Sequence, residues 1–178
     1  TFSKGEIIAV NNQVGLPQKI IETLTNLASQ YAIGRDIHVG DTIIGIKGRV
    51  GFEAAAASVI IKAHHLLEKH TLTKWQLQHK EYLANWYGTH LHEGLFLDPV
   101  MRDLEAFLES SQTNVSGDVF ATLKPYHFTL DGISSKKDLM NSVVGCYGEE
   151  NKAWTADEAK GFIKIYANQS KIFQNIHK

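Results

Sequence analysis

Two kinds of hydrophobic spacing alternate along the chain, and each can be buried in only one way. After Pro17, the residues Ile20, Ile21, Leu24, Leu27, Ala28 and Tyr31 recur at helical intervals. Gly34 stands beyond them as a stop signal, so a helix is expected over 17–31. From Arg35 the spacing changes to β-branched residues, with Ile37 and Val39, a Gly40-Asp41 turn, and then Thr42 to Ile46, which reads as a hairpin. A glycine-rich loop carrying Gly48 and Gly51 then leads into a helix expected near 53–69, apolar at Ala56, Val59, Ile60, Ala63, Leu66 and Leu67.

The next helix follows Thr73, whose hydroxyl can cap it, and sets Trp75, His79, Tyr82, Leu83, Trp86 and Tyr87 on one face. Another starts at Asp98-Pro99 and presents Val100, Met101, Leu104, Phe107 and Leu108. Both are expected to pack on a sheet. Alternation returns at Val115, Val119, Ala121 and Leu123, then at Tyr126, Phe128 and Leu130, which predicts a second hairpin and therefore an antiparallel sheet. Periodicity is lost from Ser134 to Asn151. A capping box, Thr155 to Glu158, then opens a terminal helix with Phe162, Ile163, Ile165 and Tyr166. The fold class is α+β, helices covering an antiparallel sheet, with a C-terminal tail helix. Residues 1–151 form the main domain and 152–178 the tail.

Length and composition fit that architecture and remove others. The 178 residues amount to about 1.2 domains, which leaves no room for a second full one. With 43% hydrophobic and 21% charged residues and only 3 Pro, the chain has the makings of a core, and disordered readings fail. A net charge of −1 without a basic stripe excludes the electrostatic footprint of a nucleic-acid binder. No apolar run approaches the ~18 residues of a membrane span, and no signal pattern opens the chain, so a soluble protein is expected. The single cysteine, Cys146, suits a reducing compartment and points to the cytoplasm. The opening at Thr1 reads as mid-domain sequence, so a fragment is expected.

Chemistry is sparsely offered. Nine histidines invite a metal, but His64 with His65, and His90 with His92, lack a third ligand at helical or turn spacing, and HExxH is absent. No metal site is expected. Cys146 has no adjacent base or CxxC partner and reads as a small packed residue. Gly45, Gly48 and Gly51 match neither a P-loop nor a dinucleotide fingerprint. Lys47 and Arg49 nevertheless lie in a loop feeding a helix N-terminus, which suits either an anionic ligand or a solvated turn. The apolar residues of the tail, Phe162 to Ile176, suit either the chain's own core or a partner subunit.

Five phrases in register add a family. "KGEIIAVNNQ", "LASQYAIGRDIHV", "GIKGRVGFEAA", the long run "LFLDPVMRDLEAFLESSQTNVSGDVFATL" and the closing "ADEAKGFIKIYANQSKIF" together resemble the argininosuccinate synthases, in their C-terminal synthetase and multimerisation domain. The resemblance implies an arginine-biosynthesis ligase. The citrulline ureido oxygen attacks the α-phosphorus of ATP, and the aspartate amine then displaces AMP. ATP and Mg²⁺ would be held mainly by an N-terminal ATP-binding domain with a glycine-serine phosphate loop, which this sequence lacks. The chain would supply part of the citrulline pocket and the contacts of a homotetramer, and would not turn over alone. No catalytic residue is assigned within it.

Two departures from the family pattern bear on substrate. The segment matching 35–53 usually reads GRxDxxENRxxGxKSRGxYE, whose Glu and Tyr contact citrulline near its α-amino end. By register those positions are Gly40 and Phe52, while Arg35, Lys47, Arg49 and Glu53 are kept. A buried ammonium that loses its carboxylate costs about 3–5 kcal/mol, so free citrulline should bind poorly unless another residue has taken over. An N-acylcitrulline carries no charge there and needs the room that Gly40 opens. If its acyl group ends in a carboxylate, Lys47 or Arg49 is the expected partner. The bland readings are that Gly40 serves a tighter turn and Phe52 keeps ring packing, or that the fold survives as a non-catalytic assembly module.

Overall fold

The computed structural model describes residues 1–141 and 153–177 and divides into two compact units, Thr1–Leu139 and Met140–Lys178. In the first, two short antiparallel pairs, β1 (Phe2–Ser3) with β2 (Glu6–Ile7) and β3 (Ala9–Val10) with β4 (Gln13–Val14), precede helix α1 (Pro17–Ser29). Proline at the first helical position starts α1, because its fixed φ suits a helix and its missing N–H has no intrahelical acceptor there. Strands β5 (Arg35–Asp41) and β6 (Lys47–Glu53) form a hairpin that leads into α2 (Ala55–Thr71), and α3 (Lys74–His92) and α4 (Val100–Gln112) follow. Strands β7 (Asp118–Lys124) and β8 (His127–Ser134) close the unit as an antiparallel hairpin with a bulge at Phe120/Ala121. The α+β class and the antiparallel pairing hold, with the strands distributed over four two-stranded sheets.

Three local expectations are corrected. The first hairpin turns at Thr42–Ile46, not at Gly40-Asp41, because Thr42 N–H bonds the Ile46 carbonyl at 3.0 Å and the Thr42 hydroxyl closes the loop at 2.8 Å. The supposed glycine-rich loop is therefore strand β6, its Gly48 and Gly51 paired with Gly40 and Ile37. Helix α3 is capped as expected by Thr73 with Gln76, yet none of its residues is buried, and its neighbour is α4 rather than a sheet. Trp75, Tyr82 and Trp86 face outward. In the second unit the single tail helix is two, α5 (Ala156–Tyr166) and α6 (Asn168–Ile176), with the Thr155–Glu158 capping box in place. Cys146 lies outside the described residues.

Helix α2 carries the core of the first unit. Its alanines Ala55 and Ala56, with Val59, pack against Leu24, Ala28 and Ile33, small side chains that let α1 and α2 approach closely. One and two turns on, Ala63 and Leu67 meet Phe2, Leu72 and Val115, with β7 and β8 contributing Val119, Leu130 and Ile133. Ile60 touches both clusters. Each large apolar side chain buried this way contributes about 1.5–3 kcal/mol.

A charge sits within this apolar frame. Glu68 on α2 is fully buried, its Oε2 2.9 Å from Lys80 Nζ on α3, while its Oε1 accepts from Gln112 Nε2 on α4 at 2.8 Å. His64, one turn back, shares the network through Gln112 Oε1 at 2.9 Å and stacks obliquely near Phe2. Burial pushes the His64 imidazole below its ordinary value of 6.5, although the Glu68 carboxylate pulls it up and Lys80 and His65 push it further down. The unfolded chain thus takes up the proton first. Stability from this site is fully present above about pH 6.5 and lost as pH falls through the lower folded value. The unfolding midpoint in urea should fall between about pH 7.5 and 5.5, and His64→Gln should flatten that dependence. An unchanged slope in the variant would assign the acid sensitivity elsewhere.

Candidate functional site

The β5–β6 hairpin carries the substrate-side candidates Gly40, Lys47, Arg49, Phe52 and Glu53, and its root is fixed by a glycine. Gly34 has φ +81°, and a Cβ there would lie 2.5–2.6 Å from the backbone of Ala54 and Ala55. Its carbonyl accepts the Ala54 N–H at 2.9 Å, which joins the start of β5 to the start of α2. On the first rung Arg35 Nε meets Glu53 Oε1 at 2.8 Å, and on the last Lys47 Nζ meets Asp41 Oδ1 at 2.7 Å. Both pairs are exposed, so each contributes little beyond holding register.

Because successive strand residues point to opposite sides, the register divides the candidate residues. One face carries Arg35, Ile37, Val39 and Asp41 of β5 with Lys47, Arg49, Gly51 and Glu53 of β6. The other carries Asp36, His38 and Gly40 with Gly48, Val50 and Phe52. Gly40 and Phe52 therefore share a face, four strand positions or roughly 13 Å apart along it. Lys47, Arg49 and Glu53 point away from them. Strand parity thus sets Lys47 and Arg49, the expected partners of a group bound beside Gly40 and Phe52, on the opposite face. The loop-to-helix anion site is corrected, since Lys47 and Arg49 are in a strand and Lys47 is its far end, roughly 20 Å from the start of α2.

The space expected above Gly40 is also taken. A Cβ at position 40 would lie 2.6 Å from His38 Nε2 and 3.3 Å from His38 Cδ2, so the imidazole leans over the glycine. Opposite, a Cβ on Gly48 would meet nothing within 4 Å. At the root of the same face a cleft of about 380 Å³ opens, lined by Asp36 and Phe52, by Ser58 and Lys62 of α2, and by Tyr126 and Phe128 of the β7–β8 turn. Lys62 Nζ stands 5.2 Å from the centre of the Phe128 ring. Asp36, His38 and Lys62 escaped the sequence reading. Alternation carried through 35–41 and 47–53 would have placed the first two beside Gly40.

The His90/His92 pair is not arranged to hold a metal. His90 and His92 both lie in α3, where two residues span about 200° of the helix, and His90 Nδ1 is bonded to the Trp86 carbonyl at 2.9 Å. Among the described residues no three His, Cys, Asp or Glu side chains come together in a way that could hold a metal. That donor set does not fit Mg²⁺ with a triphosphate, and no step through either is assigned to these residues. No helix among the described residues is long and apolar enough to cross a membrane.

A family model described as arginosuccinate synthase C-terminal domain matches residues 1–173. The chain belongs to this family. It is 33% identical over 177 residues to the argininosuccinate synthase of Xanthomonas campestris pv. campestris, and 35% identical over 177 residues to that of Staphylococcus aureus. In both comparisons 99% of this chain and 44% of the relative are covered. The argininosuccinate synthase of Dictyoglomus thermophilum is 33% identical over 173 residues, covering 97% of this chain and 43% of its own length. The chain thus spans less than half the length of these relatives.

Within this family domain the placing of the hairpin depends on Gly34. Gly34→Ala puts a methyl into the Ala54–Ala55 backbone at a φ that L residues avoid, so it should cost about 2 kcal/mol or more, read from urea unfolding of the chain. A loss below about 0.5 kcal/mol would mean that the hairpin root can shift freely.

Proposed function

We propose that this chain is the C-terminal part of an argininosuccinate synthase-type ligase of arginine biosynthesis. In the full polypeptide, the ureido oxygen of citrulline, or of an N-acylcitrulline, attacks the α-phosphorus of ATP and pyrophosphate leaves. The aspartate amine then attacks the ureido carbon and AMP departs. ATP and Mg²⁺ belong to an N-terminal ATP-binding domain outside this chain. The observation that carries the reading is the family match over nearly the whole chain, with the chain aligning to 44% of relatives named for that activity.

The proposed contribution of this chain is the hairpin face bearing Gly40 and Phe52, turned toward the α-amino end of the ureido substrate. Lys47, Arg49 and Glu53 are assigned to the other face, where Lys47 and Glu53 are engaged with Asp41 and Arg35. Residues 152–178 are proposed as the multimerisation segment of a homotetramer in the cytoplasm. In support, no residue of α5 or α6 is buried, and Phe162, Ile165, Tyr166, Phe173 and Ile176 are all well exposed. Exposed apolar side chains in that number suit a subunit contact.

Full-length polypeptide should release pyrophosphate in a reaction that requires aspartate and a citrulline-type substrate. The isolated chain should release none. Pyrophosphate from the isolated chain would refute the division of labour, and none from the full polypeptide would favour a purely assembling role.

For the tail, sedimentation of a full-length polypeptide truncated after Asn151 of this numbering should give a smaller species than the parent. Equal mass would remove the tail from the subunit contacts.

A further inference from the structure

We propose that His38 sets the charge preference of the Gly40–Phe52 face, selecting a ureido substrate whose α-nitrogen carries an acyl group ending in a carboxylate. The inference rests on the ligase reading above and names the group that reads the substrate. Its starting point is the contact between positions 38 and 40. The exposed imidazole leans over position 40, its Nε2 standing 2.6 Å from an ideal Cβ, so a side chain there requires the ring to move. Glycine at 40 lets the histidine at 38 lean along the strand, and a larger residue there would displace the ring. The face presents a ring N–H donor where a side chain of residue 40 would otherwise stand.

The surroundings favour an anion at that point. Among the described residues neither ring nitrogen of His38 has a hydrogen-bond partner, so the ring is free to donate. Of the other basic groups on the hairpin, Arg35, Lys47 and Arg49 all lie on the opposite face. Lys62 lies at the root, over the Phe128 ring. The one carboxylate on the face is Asp36, two positions from His38 toward the root, and its Oδ1 accepts the Ile37 N–H at 2.7 Å. Asp36 repels an anion at the root end and leaves the Gly40 side of His38 as the place for it. There the Gly40–Gly48 rung has no side chains, and the space above Gly48 is open. A short acyl chain can lie over Gly48 on this rung with its terminal carboxylate against the imidazole that covers Gly40, a charge-assisted hydrogen bond. A free α-ammonium at the same point would find no carboxylate to pair with.

The test uses the full-length polypeptide with citrulline, N-acetylcitrulline and N-succinylcitrulline, following AMP release. We expect kcat/KM to be highest for the succinyl compound, about tenfold above the acetyl compound, which tests the terminal carboxylate alone. His38→Gln should bring that ratio to about one. A ratio unmoved by His38→Gln overturns the inference and leaves the ligase reading standing. Free citrulline as the best substrate, with that activity lost in Asp36→Asn, overturns it also and assigns the face to an ammonium read by Asp36. No turnover of any of the three overturns the ligase reading itself, and the inference with it.

Discussion

The buried carboxylate of Glu68 is the constraint around which the first unit is organised. An ion of this size removed from water loses several kcal/mol of hydration, and only a geometry that supplies partners from several sides compensates it. Here the partners come from two other helices, Lys80 of α3 and Gln112 of α4. Helix α3 has no buried residue and an aromatic face turned outward, so apolar burial alone does little to hold it. The Lys80 ion pair, with Tyr87 donating to Glu105 of α4 at 3.0 Å, fixes where it lies. Removing Lys80 would strand a charge in the core, which is far more costly than losing an exposed pair such as Lys19–Glu22.

The hairpin projects from the start of α2, and its dependence on the core passes through few atoms. Gly34 and Ala54 tie its root to the start of α2, and the first rung holds the Arg35–Glu53 pair. Beyond the root, Ile37 and Val39 on one face and Val50 on the other are all exposed. A lone two-stranded ribbon in water is marginal, so register here is held by the ends. The Thr42 hydroxyl braces the turn and Asp41–Lys47 the last rung, while Arg35–Glu53 holds the first. Register in turn decides which residues share a face, because a slip of one residue between the strands would part Gly40 from Phe52.

What could be read from the sequence follows from this division. Helices α1 and α2 and the β7–β8 hairpin were legible because each buries one stripe or one side, and burial imposes a period. Leu24 and Ala28, Val59 and Ala63, and Val119 with Leu130 all fall where that period puts them. The β5–β6 hairpin buries neither face fully, so its apolar residues carry no one-sided pattern. Gly48 and Gly51 then looked like loop, and Gly40-Asp41 like a turn. Aromatic spacing in α3 marked a real face but misjudged its destination, since Trp75, Tyr82 and Trp86 are not covered within this unit. Glu68 was passed over because a glutamate at a helical position reads as solvated until its partners, 12 and 44 residues away, are brought together.

The Gly40–His38 contact changes how the departure from the family pattern is understood. Considered alone, glycine in place of glutamate is a deletion, and a deletion can be reversed by one substitution. With the imidazole 2.6 Å from the position of a Cβ, residues 38 and 40 compete for one volume. A glutamate at 40 enters only if the His38 ring swings to another rotamer, so the two positions act as a unit and their effects on binding will not add. The strand's period of two makes this coupling local, because 38 and 40 are next neighbours on one face while 39 and 41 are on the other. The exchange of a carboxylate for an imidazole therefore replaces an anionic group by a ring that can donate at a fixed place on the hairpin, with Asp36 the carboxylate kept on that face.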